Sequence, residues 1–132
     1  AVALADLGAA GMDGPDKYIV EGRNVFREEN LDILRAFEGL EKDTDPEKEL
    51  PPDKVEYFKK RMLGWSASQV RFAEGRKAKL EDELNGLPED AKNAVRELFN
   101  KFDETIDASK KKHEEERQMP FNDLARSFGY SF

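Results

Sequence analysis

Cysteine is absent from the chain, and histidine occurs once, at His113. The first absence excludes disulfides, thiolate metal sites and a cysteine nucleophile; the second excludes a histidine-rich metal site. β-Branched residues are scarce as well: Val, Ile and Thr together number 11 of 132, too few to furnish a sheet core readily. No apolar run approaches the ~20 residues that span a bilayer. Positive charge is not in excess either, since a formal net charge of -7 and a pI near 4.9 argue against a nucleic-acid binder. What is plentiful is charge itself, 39% of residues against roughly 25% in an ordinary domain. Leu, Ile, Val and Phe number 30 of 132, above the ~20% below which a chain this charged stays disordered. These figures predict one domain of heavily charged helices.

The chain opens Ala1-Val2-Ala3-Leu4-Ala5-Asp6-Leu7-Gly8, without Met. Small residues surround export and transit cleavage sites, and they equally suit a flexible Ala/Gly-rich arm over residues 1–14. A processed chain without cysteine fits a lumen, periplasm or organelle alike. Gly14-Pro15-Asp16 can open a helix, with Pro15 in the first turn. Phe26, Ile33, Phe37 and Leu40 share one helical face, with Asn30 at the intervening step and Ile19 and Leu34 widening the stripe. Gly22 is a candidate break, which separates a short helix before it from a long one over 24–41. Pro46, Pro51 and Pro52, among many charges, make 42–52 a solvated turn.

Asp53 then reads as a helix N-cap, with Glu56 completing a capping-box-like pair. Val55, Phe58, Met62, Trp65, Gln69 and Phe72 repeat at alternating steps of three and four, a heptad-like seam in which only Gln69 is polar. Beyond Phe72 the stripe moves to Ala73, Leu80, Leu84 and Leu87, and Gly75 marks a kink or a change of packing partner. Asn85-Gly86 ends the helix and Pro88 begins the next. Residues 53–85 would measure about 50 Å as one helix. The third long helix places Ala91, Ala94, Val95, Leu98, Phe102, Ile106 and Ser109 on its inner face. Its far end, Lys110 to Arg117, lacks an apolar stripe and is expected to project into solvent or against a charged partner. Short connections favour antiparallel neighbours. The expected fold is all-α, an up-and-down antiparallel bundle of three long helices and a short fourth, filling residues 1–118.

Residues 119–132 differ in kind, carrying four of the chain's 13 aromatics and almost no charge. Asn122 can cap a short helical turn and Gly129 can end it. Such a tail either folds back into a groove of the bundle or inserts into a partner. It follows a charged helix end and is too short to make its own core, which favours the partner. Phe121, Leu124, Phe128, Tyr130 and Phe132 are then its anchors.

Other constellations are better explained by structure than by chemistry. Trp65, between Phe58 and Phe72 at helical spacing, reads as core rather than as a ligand pocket. Asp43-Thr44-Asp45-Pro46-Glu47 starts like a calcium loop, but Lys48 and Lys54 stand where the loop needs Gly and a bidentate acid. A di-iron site needs Glu three residues before His, and Lys110 stands there before His113. No carboxylate pair is singled out for acid–base work, and no cofactor or metal is expected. Lys110 to Lys112 are balanced by Glu114 to Glu116 at i to i+4 spacing. Arg71, Arg76, Lys77 and Lys79 are less completely neutralised and form the better candidate for docking an anionic partner.

The Ala-rich start, the cysteine-free acidic helices, the proline-rich interhelical loop and the closing Gly129-Tyr130-Ser131-Phe132 together resemble the extrinsic lumenal subunits of photosystem II. Among these are PsbQ-like helical bundles. The likeness covers the organisation of the whole chain and rests on no catalytic motif. It implies a non-catalytic protein, peripheral on the lumenal face of the thylakoid membrane in the chloroplast, that binds photosystem II core proteins and other extrinsic subunits. It further implies shielding of the manganese–calcium cluster and help in retaining calcium and chloride, with no metal of the chain's own. The competing expectation is a free-standing helical adaptor, periplasmic or mitochondrial, that binds a partner helix along the Phe58–Trp65–Phe72 seam.

Overall fold

In a computed structural model, which describes residues 8–132, a π-helical turn at Gly8–Asp13 leads into seven α-helices. These are α1 (Pro15–Glu29), α2 (Leu31–Glu38), α3 (Pro46–Glu49), α4 (Pro52–Leu84), α5 (Glu89–Leu98), α6 (Phe102–Arg117) and α7 (Phe121–Ser127). No strand occurs among the described residues, as the shortage of β-branched residues predicts. Proline opens α1, α3 and α4, where its fixed φ suits the first turn and its missing N–H costs nothing.

Helix boundaries depart from the sequence reading at several places, each for a local reason. α4 starts at Pro52 with Pro51 as its N-cap, so Asp53 lies inside the first turn and does not cap the helix, and the 42–52 connection holds the one-turn α3. α1 passes through Gly22 and stops at Asn30 instead, whose backbone N–H and side-chain Nδ2 both donate to the Phe26 carbonyl, at 3.0 and 2.7 Å. The segment expected as one helix over 89–117 breaks at Phe99–Lys101. There the Lys101 N–H leaves the helical ladder and donates to the Gly11 carbonyl at 2.8 Å, while Phe99 turns into the core. The same exchange corrects the reading of residues 1–14 as a free arm. Ala10 and Gly11 are buried, and the Thr105 hydroxyl donates to the Ala10 carbonyl at 2.7 Å; residues 1–7 lie outside the described part.

α4 is continuous past Gly75, but its packing partners change along its length. Phe58 and Met62 belong to a core with Phe26, Ile33, Phe37 and the tail, whereas Ala73, Leu80 and Leu84 belong to a second core with Tyr18, Phe99, Phe102 and Ile106. Pairs across the helices set their directions. Gln69 and Trp65 meet Tyr18 and Phe26 of α1, while Lys77, Glu74 and Ser66 meet Asp103, Lys110 and His113 of α6. Rising numbers on α1 and α6 thus face falling numbers on α4, and both run antiparallel to it.

The tail folds back into the bundle, which corrects the favoured reading of it as a partner anchor. Phe121, Leu124, Phe128 and Tyr130 are buried in the first core, and only Phe132 stays outside, 39% exposed and stacked on Phe37 with ring centroids 5.2 Å apart. Residues 119–132 are therefore part of the bundle rather than an extension of it. Gly129 makes the return possible: at φ 93° it lets its own N–H reach the Arg126 carbonyl at 2.9 Å and the Tyr130 N–H reach the Ala125 carbonyl at 3.1 Å. That is a Schellman closure, and it turns Tyr130 inward. Asn122 does not cap α7; its side chain bridges Asp45, at 2.6 Å, and the Glu47 N–H, at 3.2 Å. The 42–52 connection is consequently less solvated than its composition suggests, with Pro46 and Leu50 buried beneath it.

Because four tail side chains complete the first core, truncation after Gln118 is expected to abolish cooperative unfolding in urea followed by circular dichroism. The single change Phe128→Ala is expected to cost about 3–5 kcal/mol. A loss below about 1 kcal/mol would show that the tail is not part of the core.

Candidate functional site

Between the two apolar cores lies a layer of polar side chains, one or more from each of α1, α4, α6 and the tail. Arg23 and Glu116 form its centre. Arg23 Nη1 donates to Glu116 Oε2 at 2.6 Å and Nη2 to Oε1 at 2.8 Å, and the Glu116 side chain is 0% exposed. The Arg23 Nε–H goes to Gln69 Oε1 at 3.1 Å, and the Ser127 hydroxyl donates to Glu116 Oε2 at 2.8 Å. The guanidinium lies 3.8 Å from the centroid of the Phe128 ring. Each guanidinium nitrogen and each carboxylate oxygen of this pair has a hydrogen-bond partner in the protein, which helps a buried ion pair to be tolerated. Alongside, the Tyr18 hydroxyl donates to the Gln69 carbonyl at 2.5 Å, and Ser66 Oγ lies 2.5 Å from His113 Nδ1.

Gly22 permits this assembly. A Cβ at that position would collide with the Gln69 side-chain amide, which would have to leave the place where it accepts from Arg23. The expectation that Lys110 to Arg117 projects into solvent is corrected here. Glu116 is turned inward, Lys110 reaches Glu74 on α4, and Glu114 meets Arg117 rather than Lys110. The residues of the layer were missed in the sequence because a Glu in a run of charges reads as solvated. Periodicity held the signal. Phe102, Ile106, Ser109, His113 and Glu116 continue one stripe in steps of four, three, four and three, and its polar end faces Ser66 and Gln69.

The remaining sequence candidates are placed as follows. Phe121, Leu124, Phe128 and Tyr130 are enclosed and present no anchor to a partner in this conformation. The seam on α4 is not free as a unit, since Phe58, Met62 and Gln69 are buried and Trp65 packs edge-on to Phe26 at 5.7 Å. Phe72 alone faces outward, 45% exposed, with the Arg76 guanidinium 4.6 Å from its ring centroid. Val70 and Ala73 take its place inside. Arg71 and Lys79 are exposed nearby, while Lys77 is paired with Asp103. Elsewhere on α4, Arg61 grips Asp32 at 2.6 and 3.0 Å. Hydrogen bonds from Arg61 hold the Asp32 carboxyl below its ordinary range, and those from Asn122 do the same for Asp45. Among the described residues no three acidic or histidine side chains converge to hold a metal ion.

No protein-family model matches the chain, and neither a curated protein nor a solved structure proves similar to it.

Two measurements test the polar layer. Glu116→Leu leaves Arg23 buried and unpaired and is expected to cost about 3–5 kcal/mol, whereas adding Arg23→Met restores most of the loss. Urea denaturation of both variants checks this; equal stabilities would refute a paired role. Burial pushes the Tyr18 and Tyr130 hydroxyls up to about 12. The folded state thus holds protons that the unfolded state releases above about pH 10, so this contribution is intact below that pH and is lost as pH rises towards 12. Tyrosinate absorbance at 295 nm is expected to show two late-titrating tyrosines, with unfolding over the same range.

Proposed function

We propose that the chain is a non-catalytic docking subunit of a larger assembly, and that the assembly is photosystem II on its lumenal side. The observation that carries the docking part is the outward face of α4 between Arg71 and Lys79. An aromatic ring left 45% exposed beneath a guanidinium, with two further bases beside it, is poorly used in water. Against a partner it supplies both apolar area and charge. Arg71, Arg76 and Lys79 direct that face towards an acidic surface, with Phe72 as its apolar centre. Lys77 is occupied by Asp103 and sits at the margin.

The photosystem part rests on the resemblance in organisation and on the all-helical fold. No described helix is long and apolar enough to cross a membrane, which is compatible with a peripheral protein. In this reading the bundle acts by covering: it occupies surface near the manganese–calcium cluster, keeps reductants out and slows the escape of calcium and chloride. The polar layer keeps the bundle's shape fixed while one face is engaged. The tail takes part in that rigidity rather than in the contact itself.

Photosystem II membranes stripped of extrinsic proteins provide the test. The chain is expected to rebind and to restore part of the oxygen evolution in calcium- and chloride-poor medium. Arg71→Glu with Lys79→Glu is expected to weaken rebinding by about tenfold or more, most clearly at low salt, with an unchanged circular dichroism spectrum. Failure of the unaltered chain to rebind would exclude photosystem II. Undiminished binding of the double variant would exclude the α4 face.

A further inference from the structure

α5 is amphipathic, yet none of its residues is buried. Val95 touches the second core and Arg96 reaches Glu81 on α4 at 3.5 Å, so the helix is attached along one edge only. Its apolar stripe is turned roughly a quarter-turn away from that edge. Leu98 is 52% exposed, Leu87, just before the helix, is 40% exposed, and Ala94 lies exposed between them. Spacings of four, three and four from Leu87 through Ala91 and Ala94 to Leu98 are those of a helix that pairs with another helix. The border of this stripe is acidic: Asp90 and Glu97 lie about two turns apart along its outer edge, and among the described residues no ion pair involves either one.

We propose that the Leu87–Leu98 face of α5 is a docking surface for a basic amphipathic helix, one whose apolar stripe is bordered by Lys or Arg. The charge of the border selects this occupant. An anionic lipid surface or a nucleic acid would meet Asp90 and Glu97 with like charge. A second copy of the chain, paired antiparallel, would set these two acids against their own counterparts; paired parallel, it would set them against Val95. A helix with bases at the flanking positions neutralises both acids and covers both leucines. This surface is separate from the basic face of α4, and it selects a partner of the opposite charge. It stands whether or not α4 docks to a photosystem.

The test uses the full chain and two synthetic helical peptides with the same leucine stripe, one flanked by lysines and one by glutamates. Titration calorimetry is expected to show binding of the lysine peptide, at least tenfold weaker binding of the glutamate peptide, and a loss of that difference at high salt. Leu98→Ser is expected to weaken the lysine peptide by about tenfold, the value of one well-buried leucine contact, and Asp90→Lys with Glu97→Lys to reverse the peptide preference. Because these side chains are exposed, the variants are expected to unfold in urea at the same midpoint as the parent. Equal affinity for the two peptides, or none for either, overturns the proposal. So does a concentration-dependent dimer in sedimentation that Leu98→Ser disperses, since a second copy would then be the occupant.

Discussion

The Arg23–Glu116 ion pair is the constraint on which the rest of the bundle depends. Two charges withdrawn from water lose several kcal/mol of hydration each, and they regain it only when geometry is close and every remaining lone pair and N–H is used. Here Gln69, Ser127 and the ring of Phe128 add partners to the two bonds within the pair, from α4 and the tail. The pair itself joins α1 to α6. Four segments distant in sequence are thus bound to one layer, and a shift of any helix by a turn would leave a buried charge unsatisfied. An apolar layer of similar volume would tolerate such slippage.

Several features that look independent follow from this layer. Arg23 meets Gln69 where α1 and α4 pack together, and the absence of a Cβ at Gly22 leaves the Gln69 amide room to take that position. The last helix must lie over the pair to set Phe128 against Arg23 and to donate from Ser127, and the left-handed turn at Gly129 then sends Tyr130 back inward. Arg27 donates to the Phe128 carbonyl from the next turn of α1, securing the return from its outer side. With the tail in place, Phe121 and Tyr130 reach Phe37, and α2 is held against the first core by stacked rings.

How much of this was legible in the sequence depends on whether the signal was local. Apolar periodicity placed the helices and most of the buried faces: Phe26, Ile33, Phe37, Phe58, Met62, Leu80, Leu84, Phe102 and Ile106 are all inside. Gly129 and Pro15 announced their turns because backbone geometry at those points is a property of the residue itself. Asn30 was hidden because its side chain acts four residues back, on Phe26, within an otherwise unbroken helical pattern. Glu116 was hidden more deeply. A carboxylate is solvated by default, and only the position of Arg23, 93 residues earlier, reverses that default. The fate of the tail followed from the same ignorance. An aromatic segment is attracted equally to its own bundle or to a partner, and the groove that receives it exists only once the polar layer is formed.

Dividing the interior by a charged layer also leaves two small cores instead of one large one, and the consequence falls on α5. The second core is completed by Phe99, Phe102 and Ile106, residues at or beyond the break that ends α5, so this core closes without needing the helix before it. α5 is retained by the edge contact of Val95 and the exposed pair of Arg96 with Glu81, and an exposed pair contributes about 1 kcal/mol at most. An element held so lightly opens locally at a lower free energy than the helices around the ion pair. The rigidity that Arg23 and Glu116 impose on the centre and the freedom left to α5 are therefore two results of one arrangement of charge.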